Sequence, residues 1–491
     1  MLKRLKLTKN HFSIFIAFLI FFIPLYPKFP LFNVSNTYVA IRMEDIIVGL
    51  IIALWLVFQF KNKFSFLKDR VNKFVLLFFV VGGLSVLSAL LITKNISPHI
   101  AFLHFFRRIE YMSLFFIAQT AINSKKNLKI NIFVLLIVSL IVSFYGLGQK
   151  YFDWPVVSTM NKEFSKGLIL ELSEWARVNS TFAGHYDLAA FLGLALGIIA
   201  GLFVYVKKRI LKIFIGTLGF ICLYVLVLTA SRVSFVAYLG TIVFVFLLLK
   251  RYAIMIPVLI ISLTLMLFSA DFVERYARTF NIDPAIITRY ISFSKGKAKD
   301  VTESVGSKVS EAVQTKAEKE QQILLESAPT QATVPLLVTV PSRRVATESM
   351  EWKPTTEIAI EYSSGIRFDV EWPRALRAFS KNPFLGTGYS SVTLATDNDY
   401  LRMLAEVGLL GFLSFLLIFA EIGRRFTVFL KGQKDLLLRI SAISIVGVGL
   451  GFFATASFID VFEASKVAFI FWILAGSLVG LMKLNLSEDE I

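Results

Sequence analysis

The chain has 491 residues, of which 56% are hydrophobic, 14% aromatic and 18% charged, with a formal net charge of +18. Apolar residues gathered into blocks of about twenty exclude an ordinary soluble domain and indicate an all-α polytopic membrane protein. A single cysteine, Cys222, excludes an intramolecular disulfide and a thiolate zinc site. The positive charge falls in the connections between apolar runs, so it reads as membrane orientation rather than nucleic-acid binding.

In chain order, apolar windows predict about twelve transmembrane helices near residues 12–32, 38–60, 72–93, 99–122, 130–149, 185–206, 210–229, 232–249, 252–270, 400–421, 439–460 and 466–483. The chain thus divides into 1–270 with nine helices, a connection over 271–399, and 400–491 with three helices and a short tail. The first window reads as a retained helix with a Pro-rich exit rather than a signal peptide, because Pro24, Tyr26, Pro27 and Pro30 stand at its end in place of a small-x-small cleavage site. Basic residues crowd every second connection, as in Lys61, Lys63, Lys68 and Arg70, or Arg424, Arg425, Lys431 and Lys434, whereas 94–98 and 461–465 nearly lack them. The positive-inside rule then puts both termini in the cytoplasm and the large connection outside.

Two outer connections are long, and function in such folds usually sits in them. Residues 150–184 contain Trp154, Trp175 and Arg177. Within 271–399, the segment 295–350 has no aromatic residue and nearly balanced charge, and it reads as a disordered or weakly helical insertion. Beyond it, Val370, Trp372, Ala375, Leu376 and Phe379 give 369–380 an amphipathic helical pattern, suited to a membrane surface or to covering the bundle.

Several groups of residues admit a structural and a chemical reading. In TDNDYLRMLAEVGLLGF, Asp397, Asn398 and Asp399 precede an apolar run, and helix capping requires only one of them. A carboxylate there could accept a proton from a sugar hydroxyl, and Asp397 with Asp399 could offer hard oxygens to a divalent cation. Arg232 in LTASRVSF, Arg177 in WARVNSTFAGHYD and Arg367 in SGIRFDVEW all stand on the outer side. Each fits an interfacial arginine, and the three together suit a diphosphate. His185 fits an interfacial or capping residue, or a substrate contact. Arg107, Arg108 and Glu110 lie inside an apolar stretch, as a self-neutralising cluster or part of a substrate path, and Arg42, Glu44 and Asp45 pose the same question. KNPFLGTGYSS supplies a turn and two glycines without the Lys-Ser/Thr of a P-loop, so it either cradles an anion or positions the segment C-terminal to it.

The combination resembles the O-antigen ligase and O-antigen polymerase superfamily of bacterial membrane glycosyltransferases. The resemblance rests on RVNSTFAGHYDLAAFL at 177–192, LTASRVSF, the series from Arg367 to Tyr389, and DNDYLRMLAEVGLLG at 397–411. It implies transfer or polymerisation of glycan from an undecaprenyl-diphosphate donor onto an acceptor sugar, at the outer face of the bacterial inner membrane, with no cofactor and no metal. The implied partners are that donor, a glycan or lipid-linked acceptor and membrane lipids, with no nucleic acid. The ligase motif of the family is His, then Asn, Ser or Gln, nine residues, and Gly-x-x-Gly. Asn398, Gly408 and Gly411 keep this spacing, while Asp397 stands at the His position. By resemblance Asp397 becomes the proton acceptor and Arg232 and Arg367 the diphosphate ligands, assisted by Arg177. Arg289 in ITRYISF competes for the second arginine role, and His185, Asn398 and Asp399 are further substrate contacts. A transporter of a small anion or solute fits the same helix count, although the two halves show no convincing repeat.

Overall fold

An apolar environment tolerates a backbone only where every N–H and C=O is paired, and helices meet that demand within a single segment. The computed structural model describes residues 7–34, 40–94, 96–157, 169–172, 176–268, 365–392 and 395–485. Trp175, Arg289 and the insertion 295–350 lie outside the described residues. The described helices are α1 (Lys9–Leu25), α2 (Met43–Lys61), α3 (Arg70–Ser88), α4 (Pro98–Ala121), α5 (Lys125–Tyr151), α6 (His185–Tyr205), α7 (Arg209–Leu228), α8 (Arg232–Leu248), α9 (Tyr252–Phe268), α10 (Trp372–Lys381), α11 (Asp399–Gly432), α12 (Leu436–Ala456) and α13 (Ser465–Met482).

Eight of these, α2, α3 with its π-helical extension to Thr93, α5, α6, α7, α11, α12 and α13, are long and apolar enough to cross a membrane. The chain is a mostly helical, polytopic membrane protein. α1, α8 and α9 are shorter apolar helices, and α4 carries Arg107, Arg108 and Glu110 at mid-length. α13 is the most enclosed of the eight and packs on α4 and α12, while α6 packs on α7, α8 and α12, and α3 lies along α11.

Two predicted boundaries need correction. The window 12–32 ends early, because α1 stops at Leu25 and Pro30–Asn33 (β1) pairs antiparallel with Ala40–Arg42 (β2). Pro27 and Pro30 have no N–H to continue a helix. The window 400–421 falls short, because α11 runs on to Gly432. Arg424 and Arg425 are good helix formers and both pair with Glu421, at 2.8 and 3.0 Å. Arg425 also reaches Asp69 at 2.9 Å, the residue whose Oδ1 caps α3 by accepting the Val71 N–H. Burial opposes the charge on Asp69, but Lys483 and Arg425 outweigh it and hold its pKa below the ordinary carboxylate value.

α11 is broken at Gly408, where φ is 67° and ψ −172°. An unbroken helix would bond the N–H groups of 409 and 410 to the carbonyls of 405 and 406. Instead Leu409 and Leu410 donate to the carbonyls of Pro383 and Phe384 at 2.8 and 3.1 Å. The stranded carbonyls of Ala405 and Glu406 accept from Thr387 and Gly388, each at 2.9 Å. Segment 383–388 is therefore spliced into the helix, bond for bond. Closeness requires glycine on both sides: a Cβ on Gly386 would lie 2.4 Å from the Glu406 backbone, and one on Gly408 2.4 Å from that of Phe384. The N–H groups of Thr387 and Gly388 are thus spent on helix carbonyls, so the Gly-rich turn positions its neighbours rather than cradling an anion.

Gly408→Ala must hold an L side chain at positive φ, a cost of about 1–3 kcal/mol, and must also open the splice. Thermal unfolding in detergent should show a clear loss of stability, whereas Gly423→Ala, where a Cβ meets nothing within 4 Å, should unfold as the parent does.

Candidate active site at the start of α11

The three polar residues before α11 have separate tasks. Asn398 is the cap, its Oδ1 accepting the N–H groups of Tyr400 and Leu401 at 3.1 and 3.0 Å. Asp399 is buried and its Oδ2 accepts the Phe462 N–H at 3.1 Å, tying α11 to the connection between α12 and α13. Asp397 adopts a left-handed φ of 48°, a conformation that aspartate tolerates better than most residues. Three successive N–H groups then converge on the Asp460 carboxylate: Thr396 at 2.9 Å and Asp397 at 3.2 Å on Oδ2, and Asn398 at 3.1 Å on Oδ1. This is a backbone nest filled by a carboxylate of the same chain. Arg402 balances that charge at 2.8 Å.

With its backbone fixed in this way, the Asp397 side chain meets Arg367. The guanidinium donates to Oδ2 twice, from Nε at 2.8 Å and from the NH2 group at 2.6 Å. The Asp397 side chain is still 28% exposed, so it remains within reach from outside the fold. Burial raises the pKa of Asp397 above the ordinary aspartate value and the Arg367 charge opposes this. Arg367 lies in a π-helical turn, Ile366–Glu371, that leads into α10. Its other partner is the Tyr186 hydroxyl. Tyr186 packs on His185, with ring centroids 4.0 Å apart, and His185 Nε2 accepts from Arg177. Arginine can only donate, so the His185 proton is on Nδ1. Arg177, His185, Tyr186, Arg367 and Asp397 form one continuous row across the start of α6.

Residues 217–416 match the family model described as O-antigen ligase. Across these residues the chain is similar to the O-antigen ligase family. The match takes in Arg232, Arg367, Asp397 and both spliced glycines, and no curated protein matches the chain.

Around the O-antigen ligase motif the remaining sequence candidates divide. Arg232 is the first residue of α8, half-buried, on a helix that packs against the α6 carrying His185. The Asp397 and Asp399 carboxylates have different partners, and among the described residues no group of three or more His, Cys, Asp or Glu side chains is placed to hold a metal. Arg107 pairs with Asp45 at 3.0 Å, and Arg108 pairs with Glu463 while donating to the Phe462 carbonyl at 2.9 Å. Burial disfavours the charge on Glu463, but Arg108 and Arg402 hold its pKa at about 2. Arg402 also reaches Glu406 at 3.4 Å, and Glu406 Oε1 accepts the Ser390 N–H at 3.0 Å. Asp460, Tyr186 and Arg402 are site residues that sequence reasoning missed. The one available signal was a pair of acids, Asp460 and Glu463, in the otherwise apolar connection between α12 and α13.

Asp460→Ala would leave three backbone N–H groups and Arg402 without their shared acceptor, a loss of about 3–5 kcal/mol. Thermal unfolding in detergent should show it as a midpoint clearly below the parent's.

Proposed function

We propose that this chain transfers or polymerises glycan from undecaprenyl diphosphate onto an acceptor sugar hydroxyl, as an inverting, metal-independent glycosyltransferase. It would act at the outer face of the bacterial inner membrane, in a twelve-span fold with both termini cytoplasmic and 271–399 outside. The observation that supports this best is the placement of Asp397. It stands at the motif's His position, is fixed by Asp460 and is bonded through one oxygen to Arg367.

In this scheme the acceptor oxygen attacks the anomeric carbon, the bond from that carbon to the diphosphate oxygen breaks, and the diphosphate leaves with the electron pair. Asp397 takes the hydroxyl proton. An aspartate with an ordinary pKa of about 4 is a weak base at neutral pH, and burial moves it in the useful direction. Stabilising the departing diphosphate is the main electrostatic task, and it falls to Arg367, Arg232 and Arg177, with Arg289 the competitor for one of those places. His185, donating from Nδ1, is a neutral contact for a sugar or phosphate oxygen. Asn398 and Asp399 contribute by holding the start of α11 in place.

Asp397→Ala and Asp397→Asn should abolish glycan transfer, by about a hundredfold or more, while the protein remains folded in membranes; near-normal turnover would remove Asp397 from the chemistry. Arg232→Ala and Arg367→Ala should raise the concentration of lipid-linked donor needed for half-maximal rate. Unchanged donor dependence in both would remove the arginines from the diphosphate site.

A further inference from the structure

Glu371 ends the π-helical turn that carries Arg367 and is only 9% exposed. Its Oε2 is buried with no hydrogen-bond partner among the described residues. The charged groups facing it are Arg367 and Arg374 from its own segment, Asp397 from the turn before α11, and Asp460 from the connection between α12 and α13. The adjoining Trp372 packs against Phe458 of that same connection, ring centroids 6.0 Å apart. A buried, unbonded carboxylate oxygen is far more costly when ionised than as the neutral acid. The position therefore suits a carboxyl that takes up a proton, on the same turn as the Arg367 that is bonded twice to Asp397 Oδ2.

We infer that Glu371 is the relay partner of Asp397, receiving from it the proton that leaves the acceptor hydroxyl. The inference rests on the glycosyl-transfer reading above. The proton passes from the hydroxyl to Asp397, then to Glu371 and finally to water, so Asp397 returns to its ionised pair with Arg367. The new glycosidic bond and the departing diphosphate balance the remaining electrons. Burial, together with the negative charges of Asp397 and Asp460, raises the Glu371 pKa to about 7 against the pull of Arg367 and Arg374. Such a group gives and takes protons with comparable ease near neutral pH. Below that value Glu371 is already protonated and cannot receive, so turnover falls as the pH falls through about 7.

The test uses the full-length protein in nanodiscs, with a lipid extract of the host membrane supplying donor and acceptor, and follows released polyprenyl diphosphate from about pH 5 to about pH 9. Parent turnover should decline below pH of about 7. Glu371→Gln should lose about tenfold or more in kcat, keep half-saturating donor within about twofold, and lack the limb near 7. Glu371→Asp should keep a limb with a smaller loss, and serves if the Gln variant does not fold. An infrared carboxylic-acid band titrating near neutral pH should be present in the parent and absent from Glu371→Gln. A Gln variant with parental rate and limb, or a band that survives the substitution, overturns the relay. If Asp397→Asn is inactive while Glu371→Gln behaves as the parent, only the relay falls. If the parent releases no polyprenyl diphosphate, the glycosyl-transfer reading falls with it.

Discussion

The carboxylate of Asp460, enclosed by the N–H groups of Thr396, Asp397 and Asn398, is the contact on which the rest of the site depends. Unpaired buried N–H groups cost about 1–3 kcal/mol each, and hydrogen bonds to an ionised acceptor are the stronger kind. That contact keeps Asp397 left-handed, which in turn leaves its side chain for Arg367. It also imports a charge, which Arg402 neutralises while reaching on to Glu406. Glu406 closes the circuit by accepting the Ser390 N–H. The turn, the first part of α11 and the strap before it are one hydrogen-bonded unit.

The splice at Gly408 gives this unit its direction. A continuous α11 would carry its first two turns along the axis of the remaining helix, whereas the break lets them point differently without losing a backbone bond. Irregular backbone is tolerated inside a bundle only when its polar groups find other partners, and the strap 383–388 provides them in equal number. The row from Arg177 through His185 and Tyr186 brings the start of α6 to Arg367. Positive groups thus converge from separate parts of the sequence on a carboxylate held still by the α12–α13 connection.

Much of the helical layout was legible in the sequence because apolar runs of membrane length leave few alternatives. The ends were less so. A short hairpin replaced the end of the first window, and a basic stretch that resembled a loop continued α11 through its pairs with Glu421. Within the site, Arg367 and Asp397 could be singled out separately, as an outer arginine and as the residue in the motif's His place. Their direct bond could not be read, since the chain between them must fold back through the splice. Gly408 was visible by its spacing, yet the reason for it, Gly386 pressed against the same backbone, required three dimensions. Asp460 and Glu371 carried no motif. A carboxylate that serves backbone N–H groups needs no fixed spacing, and one buried at the end of an amphipathic turn reads as part of its polar face.

In the proposed reaction the side chain at 397 takes the proton of the acceptor during transfer from a polyprenyl diphosphate. The most direct measurement is polyprenyl-diphosphate release by Asp397→His compared with Asp397→Asn, in the same membrane preparation. A neutral imidazole has one unprotonated ring nitrogen, which can take a proton by giving up the Arg367 N–H, whereas the amide keeps the shape of aspartate but cannot act as a base. The His protein should retain transfer above pH of about 6.5 and the Asn protein should not. An Asn protein as active as the His protein would contradict this role for residue 397.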